Sequence, residues 1–375
     1  MSLLHSYATC FPFLLCALSA PALVAAAEQQ HEELNYVFQS GSNGYHTFRI
    51  PAIVQSTKGT LIAFAEGRVN SSSDYGNLDI VARRSSDNGK TWSDLILVQD
   101  DGNNQCGNPA PVVDQSTGRI YLLSCGSTGS EGAVLNGKTT REVYSQYSDD
   151  DGLTWSKREN ISQQVKQPDW RWYATGPCSG IQIQAGKYKG RLVIPANHSD
   201  AGKTYRAHCF YSDDHGRTWK LGATAGDGSN ESQIAEIAPG KLVHNMRMQT
   251  HSKGCRGVRY SNDGGATWTD LKHETSLPCP RCQASVIRDN ARANTLYFSN
   301  PSAPKARKEM SIRTSTDGGK TWPYKKIVFA GNTAYSNLLD LDKNSLGILF
   351  EAWQPDKNGI VFSIINKKDL RVRDK

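Results

Sequence analysis

Six times along the chain, short runs of apolar residues, many alternating with polar ones, flank a tight turn. The segments are STKGTLIAF, QSTGRIYLL, KYKGRLVIP, IAPGKLVHN, NARANTLYF and DKNSLGILF, with turns near Gly59, Gly118, Gly190, Gly240, Ala293 and Asn344. A period of two with apolar, β-branched flanks around such a turn predicts β-hairpins. Behind five of them comes a second repeat: SSDNGKTW, SDDDGLTW, SDDHGRTW, SNDGGATW and STDGGKTW, starting at Ser85, Ser148, Ser212, Ser261 and Ser315. Repeats at this spacing suit one four-stranded unit each. The chain is therefore predicted to be all-β, a six-bladed β-propeller of four-stranded antiparallel blades. The sixth hairpin has no box after it, so an early strand such as NYVFQ at Asn35 is expected to complete the last blade.

Taken alone, one box with its paired acids could pass for a metal loop or an acid/base site. Its position argues otherwise. Each follows a strand such as LDIVARR or YRAHCFY, where the turn between a blade's third and fourth strands must lie. Asp, Ser and Thr side chains there bond local amides, Gly accepts positive φ, and Trp supplies an apolar face. The further oxygen ligands of a calcium loop are not shared among the copies.

If the boxes mark one end of the ring, chemistry belongs at the other. Arg49, Glu231 and Tyr335 precede their hairpin turns by nine or ten residues, and Arg68, Arg247 and Glu351 follow theirs by seven to nine. At about 3.3 Å per residue, all six approach the same end of the inner strands. Asp74 and Arg307 lie in loops just beyond second strands, again at that end. Several arginines facing one axis call for a carboxylate-like ligand, because the planar guanidinium binds carboxylate bidentately.

Composition adds little beyond this. The net charge of +7 comes without a dense Lys/Arg block, which argues against nucleic-acid binding, and a mild positive field suits an acidic substrate. The opening MSLLHSYATCFPFLLCALSAPALVAAA, residues 1–27, reads as a cleaved secretory signal, with residues 28–375 as the propeller domain. A secreted, lysosomal or periplasmic location without a membrane anchor follows. Seven cysteines remain after such a cleavage, an odd number, and CPRC at Cys279 reads as structural. Sequons stand at Asn70, Asn160, Asn197 and Asn230, each a possible N-glycan site, and a glycan at Asn70 would narrow access to the Asp74 loop.

FRIP at Phe48, FAEGR at Phe64, the box repeats, NESQIAE with HNMR, SNPSAPKAR and AYSNL, in that order, resemble the exo-α-sialidases of bacteria and animals over nearly the whole mature chain. The resemblance implies a retaining exo-α-sialidase acting on sialylated glycoconjugates, with no metal or other cofactor. It implies a substrate-carboxylate triad of Arg49, Arg247 and Arg307, with Glu351 holding Arg49. Tyr335 would be the nucleophile, Glu231 its base partner and Asp74 the acid/base, with Arg68 lining the pocket. Arg313, Arg256 and Glu236 compete for three of these places; Arg307, Arg247 and Glu231 fit the family pattern better. Asn108 in GNPAPVV stands where related sequences often carry Asp, which bears on the preferred sialic acid. A non-catalytic glycan- or protein-binding propeller, a glycanase using paired acids and a trans-sialidase are the alternatives. Oligomeric state is not legible.

Overall fold

The computed structural model describes residues 33–371 and 373, and from Leu34 onward these form one compact unit. The expected signal segment lies outside the described residues. Six antiparallel blades follow in chain order. The first runs Thr47–Gln55, Leu61–Arg68, Leu78–Ser85 and Ile96–Gln99, and the second Gln105–Val113, Ile120–Ser127, Arg141–Ser148 and Glu159–Asn160. The fourth runs Ser229–Ala238, Lys241–Met248, Cys255–Ser261 and Lys272–Pro278. The fifth and sixth share one long strand, Tyr324–Asp340. Its first part is the outer strand of the fifth blade, pairing with Lys308–Ser315, and its later part the inner strand of the sixth, pairing with Ser345–Trp353. As predicted, Tyr36–Gln39 pairs antiparallel with Asn358–Asn366 and closes the ring.

One hairpin departs from expectation. The inner strand before Gly190 is split into Tyr173–Thr175 and Ile181–Gln182. Between them, Gly176–Gly180 presses against its surroundings: a Cβ on Gly180 would stand 2.5 Å from Ile194 Cδ1. Pro177 has no amide proton to offer a ladder.

All five boxes lie between third and fourth strands and share one hydrogen-bond pattern. In SDDHGRTW, Ser212 Oγ donates to Asp214 Oδ1 (2.8 Å) and accepts from Gly216 N (2.8 Å). Thr218 donates from N (2.9 Å) and Oγ1 (2.6 Å) to Asp214. The two central residues are left-handed, with φ of 59° at His215 and 77° at Gly216, and a Cβ on Gly216 would strike the Tyr121 ring of the previous blade. Three box tryptophans pack back in the same way, Trp92 against Phe362, Trp155 against Phe64 and Trp219 against Tyr121, while Trp268 and Trp322 meet rings of their own blades, His244 and Phe298. The repeat is thus a turn and an inter-blade joint at once.

Around the axis, inner strands leave one ladder edge unpaired. Side-chain amides satisfy it: Asn337 Oδ1 accepts from Ile53 N and Ser179 N (both 3.0 Å), and Gln233 Oε1 accepts from Ser285 Oγ (2.5 Å) and Val286 N (2.9 Å). Among the described residues, no helix is long and apolar enough to cross a membrane.

Candidate active site

At the end opposite the boxes, four inner strands lose register where a marked residue stands. The shifts fall between Arg49 and Ala52, Gly107 and Ala110, Ser229 and Ser232, and Thr333 and Ser336. They bracket Asn108, Glu231 and Tyr335 and begin at Arg49. Ile50 and Asn108 take positive φ there, 60° and 56°. A bulge turns a side chain away from the alternation of its strand, and these turn their residues into one pocket.

That pocket is lined by Arg49, Arg68, Asp74, Asn108, Glu231, Arg247, Arg307 and Tyr335, eight of the nine residues the sequence singles out. The ninth, Glu351, is fully buried and grips Arg49 through two bonds of 3.2 Å. Burial works against the Arg49 charge, but Glu351 foremost, with Tyr335 and Asp74 beside it, outweighs burial and holds the guanidinium above its usual pKa. Tyr335 Oη donates to Glu231 Oε1. Arg247 Nη1 donates to Glu231 Oε2 (2.6 Å) and to Tyr335 Oη (3.3 Å). The Arg49 and Arg307 guanidiniums lie 5.2 and 5.7 Å from the Tyr335 ring centre. Arg307 also donates to the Arg281 carbonyl (2.7 Å). Burial, then the Glu231 charge, pushes the Tyr335 phenol well above its usual pKa, so it is a neutral hydroxyl.

Asp74 stands on the exposed loop after Leu61–Arg68 and leans inward, its carboxylate 2.7 Å from Arg68 and 3.4 Å from Arg49. Desolvation at the pocket mouth pushes this carboxyl up, but Arg68 and then Arg49 outweigh it and hold it below the usual carboxylate range.

The three competitors lie elsewhere. Arg256 is fully buried on Asn245 Oδ1 (2.6 Å) and the Cys282 carbonyl (2.8 Å). Arg313 sits on the third strand of the fifth blade, opposite Phe298 and Lys325. Glu236 accepts from Gly240 N and Gln184 N at the far channel mouth.

Two sequons are corrected. Asn197 and Asn230 are buried beside the pocket, so neither can carry a glycan in the folded protein, whereas Asn70 and Asn160 are exposed. All seven cysteines from Cys106 to Cys282 are buried free thiols, and among the described residues no cluster of three or more His, Cys, Asp or Glu side chains could hold a metal.

Sequence reasoning missed several pocket residues. Glu66 forms a two-point pair with Arg68 (2.7 and 3.2 Å) and accepts from Asn108 N (2.9 Å). It stands inside FAEGR, where an acid in an apolar strand was the available signal. Glu131, on a short helix Glu131–Leu135, accepts a hydrogen bond from Tyr205, and both line the pocket. Gln105 and Trp172 line the wall below it, without any motif to mark them.

Fold and site together define a class of repeat propeller built around an arginine-rich pocket, and residues 59–348 match the family described as BNR repeat-like domain. A sialidase of Bacteroides fragilis is 35% identical over 89% of this chain and 64% of its own length. An exo-alpha-sialidase of Aspergillus fumigatus is 32% identical over 82% of the chain and 79% of its own. In structure, the Hadza microbial sialidase Hz136 superposes with a TM-score of 0.80 at 33% identity, covering 88% of this chain and 68% of that one. This chain belongs to the sialidase family. It spans less than two thirds of the length of the Bacteroides relative.

Proposed function

We propose that this protein is a retaining exo-α-sialidase that removes terminal sialic acids from glycoconjugates through a covalent tyrosyl intermediate. The observation that carries the reading is the Tyr335–Glu231 pair, with Arg49, Arg247 and Arg307 around it in one pocket. Sialic acid bears a carboxylate on its anomeric carbon. A carboxylate nucleophile would approach that carbon against the substrate's own charge, and a neutral phenol would not. The arginines seat the substrate carboxylate. Glu231 takes the phenol proton as Tyr335 Oη attacks, and Asp74 protonates the leaving oxygen. In the second step Asp74 takes a proton from water attacking the same carbon, while Glu231 returns its proton to the departing phenol. A substrate carboxylate bound by Arg49 places a negative charge near Asp74, which works against the arginines, Arg68 foremost, that hold its carboxyl low. The rim formed by Glu131 and Tyr205 favours a chain end over a through-running polymer. Export through the N-terminal segment belongs to the same proposal.

The test is hydrolysis of an aryl α-sialoside, with the first-formed anomer read by proton NMR. Release of the α-anomer is expected. The β-anomer first would overturn retention, and no turnover by folded protein from pH 4 to 8 would overturn the activity (about that range covers the acid/base groups invoked). A 3-fluorosialyl fluoride should add one fluorosialyl mass to the peptide containing Tyr335.

A further inference from the structure

Arg141 opens the third strand of the second blade and is fully buried. Its guanidinium donates to the Tyr173 carbonyl (2.6 Å), Gln105 Oε1 (2.5 Å) and Asn108 Oδ1 (2.6 Å), and lies 4.1 Å from the centre of the Trp172 ring. No carboxylate is among these acceptors. A buried cation held only by neutral acceptors is costly for a fold to keep. Packing alone would be served by an apolar side chain of the same length.

The two side-chain acceptors explain what the charge does. A guanidinium only donates, so it fixes which end of each amide faces it. Gln105 must turn Oε1 to Arg141, and its Nε2 then donates to the Asp74 carbonyl at 2.9 Å. Asn108 must likewise turn Oδ1 to Arg141, and its backbone N–H binds Glu66, the partner of Arg68. Arg68 in turn donates to the Ser72 carbonyl at 2.7 Å. The exposed loop carrying Asp74 is thus tied at Ser72 and at Asp74 itself, and both ties lead back to the wall that Arg141 organises.

We propose that Arg141 is a positioning residue that, through the Gln105 amide, sets the reach of the Asp74 loop toward the leaving-group oxygen. The inference rests on Asp74 being the acid. Misplacing an acid harms reactions in proportion to their need for a proton. A sugar alkoxide leaving group needs it; a 4-nitrophenolate scarcely does.

The experiment compares kcat/KM for sialyllactose with that for 4-nitrophenyl α-sialoside in Arg141→Met, Gln105→Met and Asp74→Ala. The ratio of the two is independent of how much protein is folded, so a merely structural defect cancels. It should fall about tenfold or more in Arg141→Met and Gln105→Met, and further in Asp74→Ala. Ratios within about twofold of the parent in the first two, with a fall in Asp74→Ala, would overturn the positioning role alone. An unchanged ratio in Asp74→Ala would overturn the acid assignment, and the positioning role with it. Should Arg141→Met not fold, Gln105→Met decides.

Discussion

Tyr335 is held neutral by its surroundings, so its reactivity has to come from proton transfer to Glu231 during attack rather than from a standing phenolate. Tyr335→Phe is expected to lower kcat by roughly three orders of magnitude or more, with little change in Tm. Equal thermal and catalytic losses would count against the assignment. A second residue-scale expectation concerns two histidines of the third blade that take no part in the pocket. His198 is stacked on Trp170 at 3.4 Å and meets His208 at 3.0 Å, which in turn meets Tyr173 Oη at 2.9 Å. Burial, then the nearby Arg206, lowers the His198 pKa to about 3, and burial, then the neighbouring His198 and Arg259, lowers that of His208 well below normal. Unfolded histidine binds a proton near pH 6.5, so the unfolded chain gains protons first as the pH drops. The stability His198 contributes is whole above that pH and lost as pH falls toward 3, by about 1.4 kcal/mol per pH unit, and His208 adds a loss in the same direction. Thermal unfolding between pH 7 and 4 should show this limb, flattened in His198→Gln. A limb of unchanged slope in that variant would place the effect elsewhere.

The Asp boxes belong to the scale of the element. Their turns were legible because Ser, Asp, Gly and Thr act on backbone atoms within seven residues, which is information the local sequence carries whole. Asp214→Ala removes acceptors for Ser212 and Thr218 and should cost about 1–3 kcal/mol, with turnover per folded molecule kept within about twofold. A large loss of turnover at unchanged Tm would return the box to the list of active-site candidates. The bulges at Arg49, Asn108, Glu231 and Tyr335 were not legible. A one-residue slip in pairing depends on what the neighbouring strand offers, and FRIP or AYSNL read equally well as regular strand. The split inner strand of the third blade was missed for the same reason.

At the scale of the whole molecule, the ring is closed by Tyr36–Gln39 on Asn358–Asn366, with Val37 and Phe38 buried in the seam. Phe38→Ala should cost about 3–5 kcal/mol, seen as a clear fall in Tm, because an unclosed sixth blade exposes an edge as well as a cavity. No fall would mean that the closing strand is dispensable. Strand period and turn chemistry by themselves determined the blade count, the closing strand and the end of the ring that holds the polar kit, since these follow from spacing along a regular rise. Only the tertiary structure decided the rest. Arg49 meets Glu351 across 302 positions of chain, and Arg141 meets Gln105 and Asn108 from two strands away in the same blade. The free thiols and the buried sequons at Asn197 and Asn230 are likewise settled by burial. Such facts depend on which segments the closed ring brings side by side and on the dry environment it makes between them, and neither is a property of any one stretch of sequence.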